Sequence, residues 1–305
     1  MFTNVLTQVI ILFILIIIGV VLTKCKILTE NGVKNMTDLV LYTVTPCVII
    51  KSFIREFDAS TLKNLLISFI IAIFSHIGFI VLSRILVRDK NKADEKVLQF
   101  GTIFSNCGFM SIPLQQALLG DMGVFYCSSY IAIFQLFIWS YGILTMSGDK
   151  KYLSPKKLIL NPGMIGLAIG LIIFLLSIPV SKIVFEPISY MASLNTPIPM
   201  IIIGYHLAGS NLLDGIKNIR CIFAILVKLV IFPLATLGIM LLCGVRGTML
   251  ISSVISSSAP TAAMSTMFSA KFGLNTSLSV NMVSLSTALS LITMPIIITL
   301  AQYVA

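Results

Sequence analysis

The 305-residue sequence is 57% hydrophobic and 10% charged, with a mean hydropathy of +1.05, and this excludes an average soluble domain. Its net charge of +10 would suit a nucleic-acid binder, but the positive residues stand in short connections between apolar runs, which points to a membrane and not to nucleic acid. No HExxH, paired-glutamate or GxSx motif accompanies the two histidines and no GxxxxGK[ST] loop is present, so neither an intramembrane enzyme nor an ATP-driven pump is expected.

Runs of roughly 20 apolar residues match a hydrocarbon core of ~30 Å crossed at 1.5 Å per residue, which predicts helices and not a barrel. About ten spans are predicted, near 5–23, 38–54, 62–86, 97–119, 123–146, 162–179, 187–209, 219–243, 247–269 and 274–302. In the first, Lys24 and Lys26 follow the apolar run and no small-residue cleavage pattern comes after it, so it reads as a retained helix and not a signal peptide. Span two carries LYTVTPCVII, with Thr45-Pro46, and begins near Asp38. Span three holds His76.

Span four contains SNCGFMSIP, with Ser105, Asn106, Gly108, Ser111 and Pro113. Proline removes a donor and clashes with the preceding turn, and glycine adds backbone freedom, so the segment Ser105 to Pro113 is not expected to run as one unbroken helix. Span five holds Gln135, ambiguous between packing and function. The charged loop GDKKYLSPKKLILNP then divides five spans from five, giving a first repeat at 1–147, a cytoplasmic linker at 148–161 and a second repeat at 162–305. An odd number of spans per half obliges the second half to enter the membrane in the opposite sense, which is the plan of an inverted repeat.

Span seven carries LNTPIPMIII, with Thr196-Pro197, begins near Glu186, and ends with Tyr205 and His206. Span eight contains Lys228, which either faces a substrate carboxylate or snorkels to an interface. Span nine carries SSSAPTAAMS, with Ser258, Pro260 and Thr261, and span ten offers a polar face of Asn281, Ser284, Thr287 and Ser290. Pro46 and Pro197 are 151 residues apart and Pro113 and Pro260 are 147 apart, a nearly constant offset between the halves. Asp38 and Glu186 read as favourable charges at helix N-termini, and no Asp or Glu lies clearly inside a span, so a proton-coupled mechanism would use a histidine, a tyrosine or an edge acid.

Two helices broken at mid-membrane would expose amide donors at one half-helix and carbonyls at the other, and the positive dipole end would receive an anion. Fifteen of the Lys and Arg residues fall in alternate connections on one side and five on the other, with Lys228 inside a span. The positive-inside rule then puts both termini outside the cell membrane. The six cysteines, without CxxC spacing, read as small apolar packers, and no metal or other cofactor is expected.

The segments SNCGFMSIPL, NTPIPMIIIGYHLAGS and SSSAPTAAMSTMFSAKFGLNTSLSVNMVSLSTALSLITMPII, in that order, resemble the auxin efflux carrier family of plant PIN-type carriers and bacterial malate-permease-like proteins. The resemblance extends over essentially the whole chain. It implies an all-α membrane fold of ten helices in two inverted five-helix repeats, with helices four and nine broken and crossing at their prolines, as in bile-acid-symporter-like transporters. It also implies elevator-like motion of a transport part against a scaffold. The crossover positions it marks are Asn106, Gly108 and Pro113 in span four and Ser258, Pro260 and Thr261 in span nine. The short central loop departs from the plant carriers, so their regulatory cytoplasmic region is not carried over.

These readings give a secondary transporter for a small organic anion, such as malate or an auxin-like acid, with an anion channel or membrane sensor on the same fold as the alternative. The substrate-binding set is Asn106, Gly108, Ser111, Pro113, Ser258, Pro260 and Thr261. Lys228, His206, Tyr205 and Asn281 are candidates for charge or coupling. The expected partners are the anion, the lipid bilayer and a coupling ion, proton or sodium; a homodimer is left open.

Overall fold

The computed structural model describes residues 2–153, 160–209 and 212–305. The described residues are almost entirely helical. Helices α1 (Phe2–Lys24), α2 (Glu30–Phe53) and α3 (Ala59–Leu86) are followed by α4 (Lys92–Ile103), α5 (107–119) and α6 (121–147). The second half holds α7 (Pro162–Leu175), α8 (Lys182–Ser193), α9 (Pro197–Ala208), α10 (Leu212–Lys217) and α11 (Ile219–Leu242). It ends with α12 (Gly247–Ser258), α13 (Met264–Lys271) and α14 (Thr276–Val304). Among the described residues, six helices, or helix runs, are long and apolar enough to cross a membrane. Large apolar side chains such as Ile14, Ile17 and Phe74 stand outward, more than half exposed, on a surface suited to lipid and not to water.

Local chemistry explains most of the boundaries. Side chains of Thr29, Asp58, Asn91, Asn161, Asn218 and Asn275 accept from backbone N–H groups of the turns they open, the usual device for satisfying a helix's first donors. Gly120 separates α5 from α6 with φ +63° and ψ −154°, a conformation that costs residues with a Cβ. Prolines inside helices are absorbed in a recurring way. The π turns Val40–Val44, Cys107–Ser111 and Val227–Ile231 each end two residues before a proline, at Pro46, Pro113 and Pro233. A wider turn displaces the carbonyl that the pyrrolidine ring would strike, so the chain continues.

Three expectations change here. Span two begins at Glu30, so Asp38 lies inside the helix and Glu30 is the first-turn acid. Span seven is two helices parted at 194–196, with Glu186 and Pro187 both inside α8. Span four breaks at Phe104–Asn106, before Pro113 and not at it; a π turn accommodates the proline. Of the 148–161 linker, the 3₁₀ turn Lys150–Tyr152 is described and residues 154–159 lie outside the described residues.

The helices pack in two manners. Helices α1 and α9 meet through glycine: a Cβ on Gly204 would lie 2.2 Å from the Ile16 carbonyl, and one on Gly19 would lie 2.5 Å from that of Ile201. Helix α7 approaches α2 similarly, since a Cβ on Gly166 would stand 2.8 Å from Pro46 Cα. Small residues let helix backbones approach in lipid, where association draws on van der Waals contact. The remaining helices surround the breaks, packed through Phe79, Phe100, Phe104, Phe232 and Phe268. At one end, Asp89 pairs with Arg220 and Asp94 accepts from Asn275 at 2.9 Å, tying the α3–α4 connection to α11 and α4 to α14.

Candidate functional site

The two helix breaks face each other. Residues 104–106 part α4 from α5, and residues 259–263 part α12 from α13; Phe104 and Ala259 are both extended. The segments pair antiparallel at Ser105 and Thr261. Asn106 N–H donates to the Pro260 carbonyl at 2.7 Å, and Ala262 N–H donates to the Phe104 carbonyl at 2.9 Å. Broken helices in a membrane need partners for freed backbone groups, and here each break supplies the other's. Proline suits its place, because Pro260 contributes a carbonyl and brings no N–H needing an acceptor.

Side chains reinforce the crossing. Thr261 N–H donates to Ser286 Oγ at 3.1 Å, and Thr261 Oγ1 donates to the Gly101 carbonyl at 2.9 Å. A Cβ on Gly101 would come within 2.5 Å of Met282 Sδ, so glycine permits this approach. Beside the crossing, the Asn106 side chain is 8% exposed, and a Cβ on Gly108 would meet nothing within 4 Å. Gly108 belongs to the first turn of α5, whose amides lack intrahelical acceptors and form the positive end of the helix dipole. The arrangement therefore offers donors, free volume and a positive potential at one place.

Lys228 completes that potential. It is fully buried, sits in the π turn of α11, and its ammonium donates to Ser105 Oγ at the crossing. Its Nζ lies 6.0 Å from the Phe79 ring centroid. The snorkelling reading is thereby corrected, since the side chain turns inward. Ser105 Oγ in turn lies 3.5 Å from Tyr130 OH, and the Tyr130 ring centroid is 4.8 Å from that of His76, which is fully buried on α3.

The crossing thus gathers Asn106, Pro260, Thr261 and Lys228, with Gly108 adjoining. Other predicted residues are placed elsewhere. Ser111 joins a separate buried knot in which Gln115 Nε2 donates to the Ser252 carbonyl at 2.8 Å and to Ser256 Oγ at 3.2 Å. Pro113 is buried within the same helix, beyond the π turn. Ser258 Oγ donates to the Ile255 carbonyl of its own helix at 3.0 Å. Tyr205 shares an apolar cluster with Ile202 and Phe109, and His206 is exposed in the last turn of α9. Asn281 lies against Gly215 of α10; the α14 residue that reaches the crossing is Ser286.

Sequence reasoning did not single out Tyr130, Gly101 or Ser286. A mid-span tyrosine or a serine among many carries no local signal. Among the described residues, no group of three or more His, Cys, Asp or Glu side chains could hold a metal.

An uncharacterized transporter of Methanothermobacter thermautotrophicus (strain ATCC 29096 / DSM 1053 / JCM 10044 / NBRC 100330 / Delta H) is 22% identical over 287 residues, covering 93% of this chain and 94% of that protein. The family model described as membrane transport protein matches residues 4–156 and 151–298, nearly the whole chain. The chain therefore belongs to the membrane transport protein family, the auxin efflux carrier and PIN-like group, and is a multi-pass membrane transporter and not an enzyme.

Proposed function

We propose that the protein is a secondary carrier for a small organic anion, a carboxylate such as malate, bound where the two broken helices cross. The observation that carries this reading is the fully buried ammonium of Lys228 at Ser105, beside the free first turn of α5. An isolated buried charge is costly, and a carboxylate arriving at the crossing would offset that cost while accepting from the α5 amides. No buried carboxylate of the described residues stands ready for a cationic substrate.

The helices group into ten spans in two inverted repeats of five, with α4–α5 and α12–α13 as the broken fourth and ninth. Alternating access moves the crossing and its surrounding helices as a body against α1, α2, α7, α8 and α9, in an elevator-like way. Support comes from the two packing manners, glycine contact in one group and polar contact in the other. The fifteen-to-five distribution of Lys and Arg supports a cell-membrane orientation with both termini outside. Single cysteines placed at Asp121 and Lys90 in a cysteine-free background test this: the first should label in intact cells and the second only after permeabilisation, and the reverse overturns it.

The substrate class is tested by thermal unfolding of detergent-purified protein with carboxylic acids, amines and neutral sugars, because a ligand of the folded state raises its apparent stability. Stabilisation by carboxylates is expected. Stabilisation by amines or sugars, with none by any acid, would overturn the anion reading while leaving the transporter assignment intact. Counterflow in proteoliposomes then separates a carrier from a channel, which shows no trans-stimulation.

A further inference from the structure

We infer that the coupling ion is a proton and that Lys228 carries it, so that each anion enters the crossing paired with a proton. The inference rests on the organic-anion reading and deepens it by naming what travels with the substrate.

The first support is the isolation of Lys228 from carboxylates. Helices α3, α11, α12 and α14, which pack around it, carry no Asp or Glu. On α4, α5 and α6 the acids are Asp94, Glu95 and Asp121, and each is engaged elsewhere: Asp94 with Asn275, Glu95 with Lys92, and Asp121 with Gln116 and Lys51. The titratable groups that face Lys228 are His76 from α3, Cys107 from α5 and, through Ser105, Tyr130 from α6. None is an anion by ordinary chemistry at neutral pH.

The second support is thermodynamic. An ammonium buried without a counter-charge and a carboxylate drawn into an apolar site alone are each unfavourable, whereas the two together form a charge-assisted pair. Binding of the anion and binding of the proton are therefore linked, each favouring the other by the same factor. The balance is simple: the amine of Lys228 takes one proton from the side on which the anion enters, and returns it on the side to which the anion leaves. No metal cation is required.

The third support is a file of buried polar groups beside Lys228. Lys228 Nζ meets Ser105 Oγ, which lies 3.5 Å from Tyr130 OH. His76, 4.8 Å away between ring centroids, has its Nδ1 at 2.8 Å from the Ala72 carbonyl and its Nε2 buried without a partner. A nitrogen so left is a free hydrogen-bond acceptor close to Tyr130.

The test measures proton uptake with a pH dye in weakly buffered detergent solution, on adding formate, acetate, lactate, malate, succinate, citrate, benzoate or indole-3-acetate to the full-length protein. Every acid that stabilises the wild type should take up about one proton per anion bound at alkaline pH, with apparent affinity falling about tenfold per pH unit there. Lys228→Arg should show no proton uptake on adding any of these acids, whatever affinity it keeps, because a guanidinium stays charged. Lys228→Gln should lose both binding and proton uptake. Stabilisation with no proton uptake in the wild type, or uptake undiminished in Lys228→Arg, overturns the proton pairing and leaves the anion reading standing. Stabilisation by none of the eight acids removes the anion reading and this inference with it.

Discussion

Helices α1 and α9 touch backbone to backbone through Gly19 and Gly204, whereas α4–α5 and α12–α13 touch through two main-chain hydrogen bonds and a set of hydroxyls. The first contact has no polar content and tolerates no added atom. The second leaves room for a Cβ at Gly108 and holds the buried side chain of Lys228. One region is built to stay closed, and the other spends favourable packing on keeping a polar centre accessible to a ligand.

The sharpest way to break this contrast is to add volume at the glycine contact. Gly204→Leu must displace the α1 backbone, not a flexible side chain, and should lower stability by at least the ~1–3 kcal/mol typical of overpacking. Thermal unfolding in detergent measures it; an unchanged midpoint would mean that the two helices are not locked together.

A smaller effect is expected at the crossing, and in activity. Asn106→Ala retains the main-chain bond to Pro260 while deleting a side chain at the site. Uptake of a stabilising acid should fall about tenfold, equivalent to ~1.4 kcal/mol, with the unfolding midpoint near that of wild type. Wild-type uptake would place the substrate elsewhere.

Gly108→Ala sharpens the comparison by reversing the glycine rule. The methyl enters open space at a position without positive φ, so stability should change by no more than ~0.5 kcal/mol. Any fall in uptake then reports occupied substrate volume. A large loss of stability would show the space to be filled.

The smallest expected effect lies outside both regions, at the α3 N-cap. Hydrogen bonds from Ser60 and Thr61 hold the exposed Asp58 carboxylate down to about 2. Because the folded value lies below the unfolded one, the stabilisation is complete above the ordinary carboxylate range and is lost as pH falls toward 2. Asp58→Asn keeps an acceptor without the charge, so its stability should decline less than wild type between about pH 4 and 2. Parallel acid limbs in urea titrations of the two proteins would dismiss the cap's contribution.

Much of the framework was readable from residues alone because lipid restricts the choices: apolar length marks helices, although the starts set by the caps Asp58 and Asn91 lie several residues before the apolar runs. The break at Pro260 was also legible, since proline both ends the ladder and stays in place. The break in α4–α5 was legible as an interruption within SNCGFMSIP, but not its place at the start of that segment. Phe104-Ser105-Asn106 contains no helix breaker, and its extended conformation is imposed by partners that lie about 155 residues further on in the chain. Pro113, the visible breaker, is neutralised by a π turn that no local pattern announces. For Lys228, position in a span was legible but direction was not, because Ser105, in the break between α4 and α5, decides where its Nζ points.

The crossing is fastened mainly through atoms every residue possesses. Asn106 gives its amide, while Pro260 and Phe104 give their carbonyls. A descendant gene could therefore replace the side chain at Asn106 or enlarge Gly108 without undoing the joint, and so alter which acid is carried. Architecture and cargo preference are free to evolve on separate schedules.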